Sequence, residues 1–393
     1  MLPPTLSVAL PQKTVESYTD KRAKGRAFGA ARRLVQNIDT FATAAPGYNP
    51  ELAYLMAIVS AWTYADERAL GAKLRYYGIE GAHIRRVTVQ NNALLVVTTA
   101  YLIQSASGKS AVLAFRGTDP ANLIMLLTEA QVMQRPFCSG RVHSGFYASV
   151  EVVWDEIHEA LDAARAGFHL DADGKRKQLK APLEALYVTG HSLGGAMALL
   201  AAARLHCDDY HDWSPANLVR GIYTYGQPMV GDAAFVEGCE SFRERMHRHV
   251  FHRDLVPHLP PRSELPYTHA SGERRADSLE QVWQLNEQPT QRVRIVRAVS
   301  EVLLNALEAR TSVRERFPGL SLDDHMPANY LEVSRRALDP RFESVVPRRG
   351  LLPRLAADAV DSARQRVEGV VKNVEGRVKR LLGNGQSANQ PSA

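Results

Sequence analysis

Gly190-His191-Ser192-Leu193-Gly194 sets a serine between two glycines in the G-x-S-x-G spacing of a sharp strand-to-helix turn. The flanks agree with that turn. Ala185-Leu186-Tyr187-Val188-Thr189 has strand character, and Gly195-Ala196-Met197-Ala198-Leu199-Leu200 opens a helix. Such a turn strains the serine backbone, and the glycines let strand and helix approach closely. The Ser192 hydroxyl is then expected at the carboxyl end of a sheet, beside a helix N-terminus whose unpaired N–H groups suit a developing oxyanion. The competing reading is a buried serine in an ordinary tight turn, and it leaves the flanking pattern unexplained.

A serine hydroxyl is a poor nucleophile at neutral pH. It needs an imidazole base, and the base needs a carboxylate that fixes its tautomer. Where such an elbow carries the nucleophile, acid and base follow it in that order along the chain. Asp254 ends the strand-like run Met246 to Arg253, just before Leu255-Val256-Pro257, where a catalytic acid at a strand carboxyl end belongs. Asp232 also follows a strand but fits a helix N-cap better. For the base, His258 stands four residues past Asp254, too close to turn back onto the serine. His325 lies in a loop ahead of a helix and is preferred, with His269 as the alternative.

The elements that must position these groups follow from hydrophobic spacing. Leu52, Leu55, Ile58, Val59 and Trp62 recur at helical steps, so residues 50–75 are expected to form one or two amphipathic helices. Strands are expected at 84–90, 93–104, 110–115, 184–189, 219–225 and 246–253, and helices at 145–166, 193–205 and 327–338. Strands alternate with helices across 110–255, which predicts an α/β fold with a mostly parallel sheet covered on both faces. Residues 271–320 are charged and helix-prone, and are expected to be an insertion after the last strand.

Composition limits the partners. The 393 residues carry 48 Lys+Arg against 42 Asp+Glu. Ten of the basic and five of the acidic residues lie between Arg341 and Gly383, so the body is nearly neutral and the charge argues for no nucleic acid. Cys138, Cys207 and Cys239 are odd in number and far apart, with no C-x-x-C, so neither a thiolate zinc site nor a disulfide framework is expected. The chain start shows no basic leader and no apolar run reaches the ~18 residues of a membrane span, so the default expectation is cytoplasmic, with leaderless export or peripheral membrane association as alternatives.

Several blocks, in order, resemble the class 3 lipase family. They are Leu55 to Gly78, Val112 to Thr118, Val142-His143-Ser144-Gly145-Phe146, Gly190 to Ala196, Thr224 to Asp232, His252 to Pro261 and Asp324 to Tyr330. One departure is Met229, where the family usually has Arg. The resemblance covers roughly 50–335. It implies an α/β-hydrolase with a central mostly parallel sheet flanked by helices, to which this chain adds N- and C-terminal helical extensions. It also implies Ser192 as nucleophile, Asp254 as acid and His325 as base, with Thr118 and the backbone N–H of Leu193 as oxyanion donors. The implied activity is hydrolysis of lipid carboxylic esters through an acyl-enzyme, with no metal or organic cofactor. Acyl transfer, soluble esters as substrates, or a silent lipid- or partner-binding protein are the alternatives.

The expected organisation is a basic arm at 1–48, the hydrolase-like body at 49–340, a basic amphipathic tail at 341–383 and a disordered end at 384–393. Leu123, Leu126, Leu127 and Met133 crowd a stretch whose sole charge is Glu129, which reads either as an acyl-binding lid or as a buried helix. The tail reads as a membrane-surface helix, a partner-docking segment or a solvated helix packed on the body.

Overall fold

The computed structural model describes residues 37–77, 79–91, 96–118, 134–207, 215–260, 267–286 and 323–339. The expected acyl-binding stretch with Leu123, Leu126, Leu127 and Met133, the basic tail and the chain end lie outside the described residues, as does the arm up to residue 36.

After a short 3-10 turn at Ile38–Phe41 comes α1, Pro50–Trp62. The side chain of Asn49 accepts from the N–H groups of Glu51 and Leu52, and Pro50 fills a position that needs no donor. The Asp66 carboxylate caps α2, Glu67–Tyr76, at Ala69 N–H. The expected region 50–75 is thus two helices. Strands β1 (His83–Asn91), β2 (Val96–Gln104) and β3 (Ser110–Phe115) follow as an antiparallel meander. A hairpin of β4 (Gln134–Phe137) and β5 (Gly140–His143) leads into α3, Ser144–Arg165. A second hairpin, β6 (Phe168–Leu170) with β7 (Arg176–Gln178), precedes β8, Ala185–His191. Then come α4 (Leu193–Cys207), β9 (Val219–Tyr225), α5 (Ala233–Gly238) and β10 (Met246–Phe251). The described chain ends with β11 (Glu273–Ala276), β12 (Gln284–Asn286) and α6, Pro327–Arg336.

The main sheet runs β1-β2-β3-β8-β9-β10-β11-β12. The pairs from β3 through β11 are parallel, and the outer pairs are antiparallel. Alternating side chains divide the core. Ala111, Leu113 and Phe115 of β3, with Leu186 and Val188 of β8, meet α3 and α4 on one face. Val112, Ala114, Ala185 and Tyr187 point to the other face, against α1, with Tyr330 and Val333 of α6 in the same cluster. Both faces of the central strands are buried, which is why they read as continuous apolar runs.

Two expectations are overturned. Residues 271–320 were expected to be helical, yet 273–276 and 284–286 extend the sheet. The charges that suggested a helix are absorbed locally: Arg248 of β10 and Glu273 of β11 form a buried ion pair, and Arg275 pairs with Asp277. No disulfide framework was expected of the cysteines, yet Cys138 in the β4–β5 turn is bonded to Cys207 at the end of α4, with Cα atoms 5.7 Å apart. The hairpin folds back onto the helix end, a proximity hidden by a separation of 69 residues. Cys239 is free and buried.

Candidate active site

The parallel strands β3, β8, β9 and β10 all deliver their carboxyl ends to one edge, where Phe115 pairs with Gly190 and both His191 and His249 with Tyr225. Loops leaving that edge carry the candidate residues: Thr118 after β3, Ser192 after β8, Gly226 after β9 and Asp254 after β10. This is the edge at which open α/β sheets collect their ligands.

Ser192 has φ +61°, the strained left-handed conformation required of a residue perched between strand and helix. Its N–H donates to Tyr225 O at 2.8 Å, and its carbonyl accepts from Gly195 N–H at 2.9 Å, so it serves as the hinge into α4. A side chain at Gly194 would strike the Phe115 carbonyl, so glycine there lets the start of α4 lie directly on the end of β3. That contact brings the Gly117–Thr118 loop against the Leu193 end of the helix. Thr118 is half-buried, and Leu193 supplies one of the first N–H groups of α4, which have no partner within the helix.

The candidate acid and the candidate base meet. His325 Nδ1 and Asp254 Oδ2 are 2.8 Å apart, and both residues are buried. Two further donors hold the carboxylate: Val256 N–H on Oδ1 at 2.9 Å and the Tyr330 hydroxyl on Oδ2. The Tyr330 phenol is raised well above its usual range, by burial first and by the Asp254 charge second, so it remains a donor. The loop bearing His325 is also tied by Asp324, which accepts from Arg253 N–H at 3.3 Å. Gly226, at φ +60°, leaves room for the pair: a Cβ there would lie 2.8 Å from the His325 ring and 2.9 Å from Asp254 Oδ2.

Ser192 Oγ and His325 Nε2 are both buried and neither has a hydrogen-bond partner. Leaving a buried hydroxyl and a buried ring nitrogen open is costly, and at this sheet edge the two atoms are candidates for chemistry. Nucleophile–base hydrogen bonds are often long before substrate arrives. The other candidates lie elsewhere. His269 Nε2 is 2.8 Å from Pro257 O, and Asp232 caps α5 by accepting from Phe235 N–H, as its position suggested. His143, from the Val142 to Phe146 motif, caps α3 with its Nδ1.

Three residues of the site carried no assigned role in the sequence. Tyr330 lies in the block that marks His325, five residues after it on the helix that follows. Tyr64 and His191 are joined at 2.9 Å between Tyr64 Oη and His191 Nδ1, and His191 Nε2 lies 2.7 Å from His325 O. Both lie in blocks that carry the family resemblance, Gly190 to Ala196 and Leu55 to Gly78, but nothing in those blocks pointed to a bond between them. Among the described residues no cluster of His, Cys, Asp and Glu could hold a metal ion, and no helix is long and apolar enough to cross a membrane.

Residues 112–264 match the family model described as lipase (class 3). The chain is 37% identical over 183 residues to a lipase of Rhizomucor miehei, a match covering 46% of each chain. It is 34% identical over 177 residues to a lipase of Rhizopus niveus, covering 44% of this chain and 40% of that one. The chain thus spans less than half the length of these relatives. A fungal lipase–inhibitor complex, solved as a model for interfacial activation in lipases, superposes with a TM-score of 0.51 at 25% identity. That superposition covers 72% of this chain and 95% of that one. The fold is that of an α/β-hydrolase, and the resemblance carried by the sequence motifs is borne out over residues 112–264.

Proposed function

We propose that the chain is a serine hydrolase that cleaves carboxylic ester bonds of lipids through an acyl-enzyme. The observation that carries the reading is the buried Asp254–His325 pair gathered at the same sheet edge as the strained Ser192 elbow. His325 Nε2 takes the proton as Ser192 Oγ attacks the acyl carbonyl carbon. Asp254 holds the opposite ring nitrogen and compensates the imidazolium that forms. Thr118 and the Leu193 N–H stabilise the oxyanion. The alcohol leaves with the proton from His325, and water then repeats the sequence on the acyl-enzyme to release the acid.

The lipid substrate rests on the similarity to lipases and is tested by an ester series. Emulsified long-chain glycerides should be hydrolysed faster than soluble short-chain esters, and Ser192→Ala should abolish both activities. Turnover confined to soluble esters, or acyl transfer to an added alcohol in preference to water, would replace the lipid reading. Contact with a membrane surface through the tail is part of the proposal. Equal vesicle binding by the full chain and by one ending near Pro340 would remove it. The Cys138–Cys207 disulfide favours an oxidising site of action, by export, over the cytoplasmic default.

A further inference from the structure

Two polar side chains that the mechanism does not use converge on three of the segments that carry its groups. Tyr64, just past the end of α1, places its hydroxyl 2.9 Å from His191 Nδ1. His191 Nε2 is 2.7 Å from the carbonyl oxygen of His325. That carbonyl can only accept, so Nε2 carries the proton and Nδ1 is left with a lone pair. The Tyr64 hydroxyl is therefore the donor to Nδ1. The same hydroxyl occupies the place a side chain at Gly117 would need, and the His191 carbonyl lies 2.6 Å from that place. Gly117 directly precedes Thr118, and His191 directly precedes Ser192.

We propose that Tyr64 and His191 are positioning residues that lock three segments into one register: the Gly117–Thr118 loop, the serine elbow and the backbone of the base. The proposal rests on the acyl-transfer reading of Ser192 and His325. The two links run from the phenol to the imidazole and from the imidazole to the His325 backbone, while packing against Gly117 fixes the third segment. The rings of His191 and His325 also lie 4.5 Å apart and tilted by 35°. Both nitrogens of His191 are engaged, so it is not a second base. Burial first, and the nearby His325 second, hold its ring well below the usual histidine range, which keeps it a neutral donor. His325 comes from a short turn, Asp323–His325, and needs such anchoring. Without it, a shift of about 1 Å between base and hydroxyl would cost on the order of 100-fold in rate.

The test combines kinetics with ring NMR on the full-length chain. On a soluble p-nitrophenyl ester, Tyr64→Phe should lower kcat about 10-fold and His191→Phe about 100-fold, with KM changed less than about 2-fold. His191→Gln, whose amide nitrogen reaches the place of Nε2, should recover about 10-fold over His191→Phe. Wild-type kcat in Tyr64→Phe and His191→Phe, or a loss that His191→Gln does not relieve, overturns the proposal. Nitrogen-15 spectra of the histidine rings supply a second readout that needs no turnover and no variant. They should show His191 neutral, with its proton on Nε2. A proton on Nδ1, or a charged ring at pH 7, overturns the network even in an active enzyme. A wild-type chain with the expected ring spectrum but no esterase activity would instead sink the hydrolase reading and leave the network standing.

Discussion

Gly226→Ala isolates the geometry of the acid–base pair. Gly226 has φ +60°, and a methyl group there would meet His325 Cε1 and Nδ1 at 2.8 Å and Asp254 Oδ2 at 2.9 Å. Two costs are expected. Holding a non-glycine residue in the left-handed region costs about 1–2 kcal/mol. Separately, ordinary contact between carbon atoms begins near 3.5 Å, so the ring or the carboxylate must retreat by about 0.7 Å. A retreat of that size in a base should lower kcat by at least about 10-fold. Gly174→Ala is the matched control. It has φ +76° and nothing within 4 Å of its would-be methyl, so it bears the backbone cost alone. The assay is kcat on a soluble p-nitrophenyl ester beside thermal unfolding of both variants. Gly226→Ala should lose more Tm than Gly174→Ala, because it bears the clash as well as the backbone cost, and only Gly226→Ala should lose its rate. Full activity in Gly226→Ala, with the same stability loss as Gly174→Ala, would refute the placement of His325 against Asp254.

Other outcomes follow from the same contacts. Tyr330→Phe removes a buried donor to the Asp254 carboxylate, a bond worth about 1.5–3 kcal/mol, so unfolding free energy should fall by that amount in denaturant titration and kcat should fall with it. The Cys138–Cys207 bond closes a separation of 69 residues, which in the chain-entropy account stabilises by about 4 kcal/mol; the double alanine variant should show a loss of that order by denaturant titration, and unchanged stability would contradict the bond. His143 and His247 are buried and pushed down to about 4, chiefly by desolvation. The unfolded rings take up protons as pH falls through about 6.5, while the folded ones resist until about 4, so stability is full above that window and lost across it, by up to about 3 kcal/mol for each ring. Replacing His143 by Gln should flatten the slope of unfolding free energy against pH between 4 and 6.5.

The parts of the fold that could be read in advance are those buried on both faces or closed by a turn. The strands Ser110–Phe115 and Val219–Tyr225 were bounded as expected, because each is an apolar run that stops at a glycine turn. The hairpins Gln134–His143 and Phe168–Gln178 were not, because three- and four-residue strands rich in Arg, Lys and Gln carry no alternation long enough to see. Glu273–Ala276 was mistaken for helical sequence because its charges find partners only once β10 lies alongside. Within the site, the order of serine, acid and histidine together with the loop position of His325 pointed to it ahead of His269, and the structure places His325 on Asp254 and His269 on Pro257. The bond between Tyr64 and His191 was invisible, since its partners lie 127 residues apart. A cysteine pair joined across 69 residues is equally silent until the chain is folded.

The central claim is that Ser192 Oγ is a nucleophile made reactive by His325. Intact-mass spectrometry after exposure to a fluorophosphonate ester measures this directly. One adduct per chain is predicted, mapped to the peptide containing Ser192, absent in Ser192→Ala and strongly slowed in His325→Ala. An adduct that persists in Ser192→Ala, or a wild-type chain that never reacts, would contradict the account.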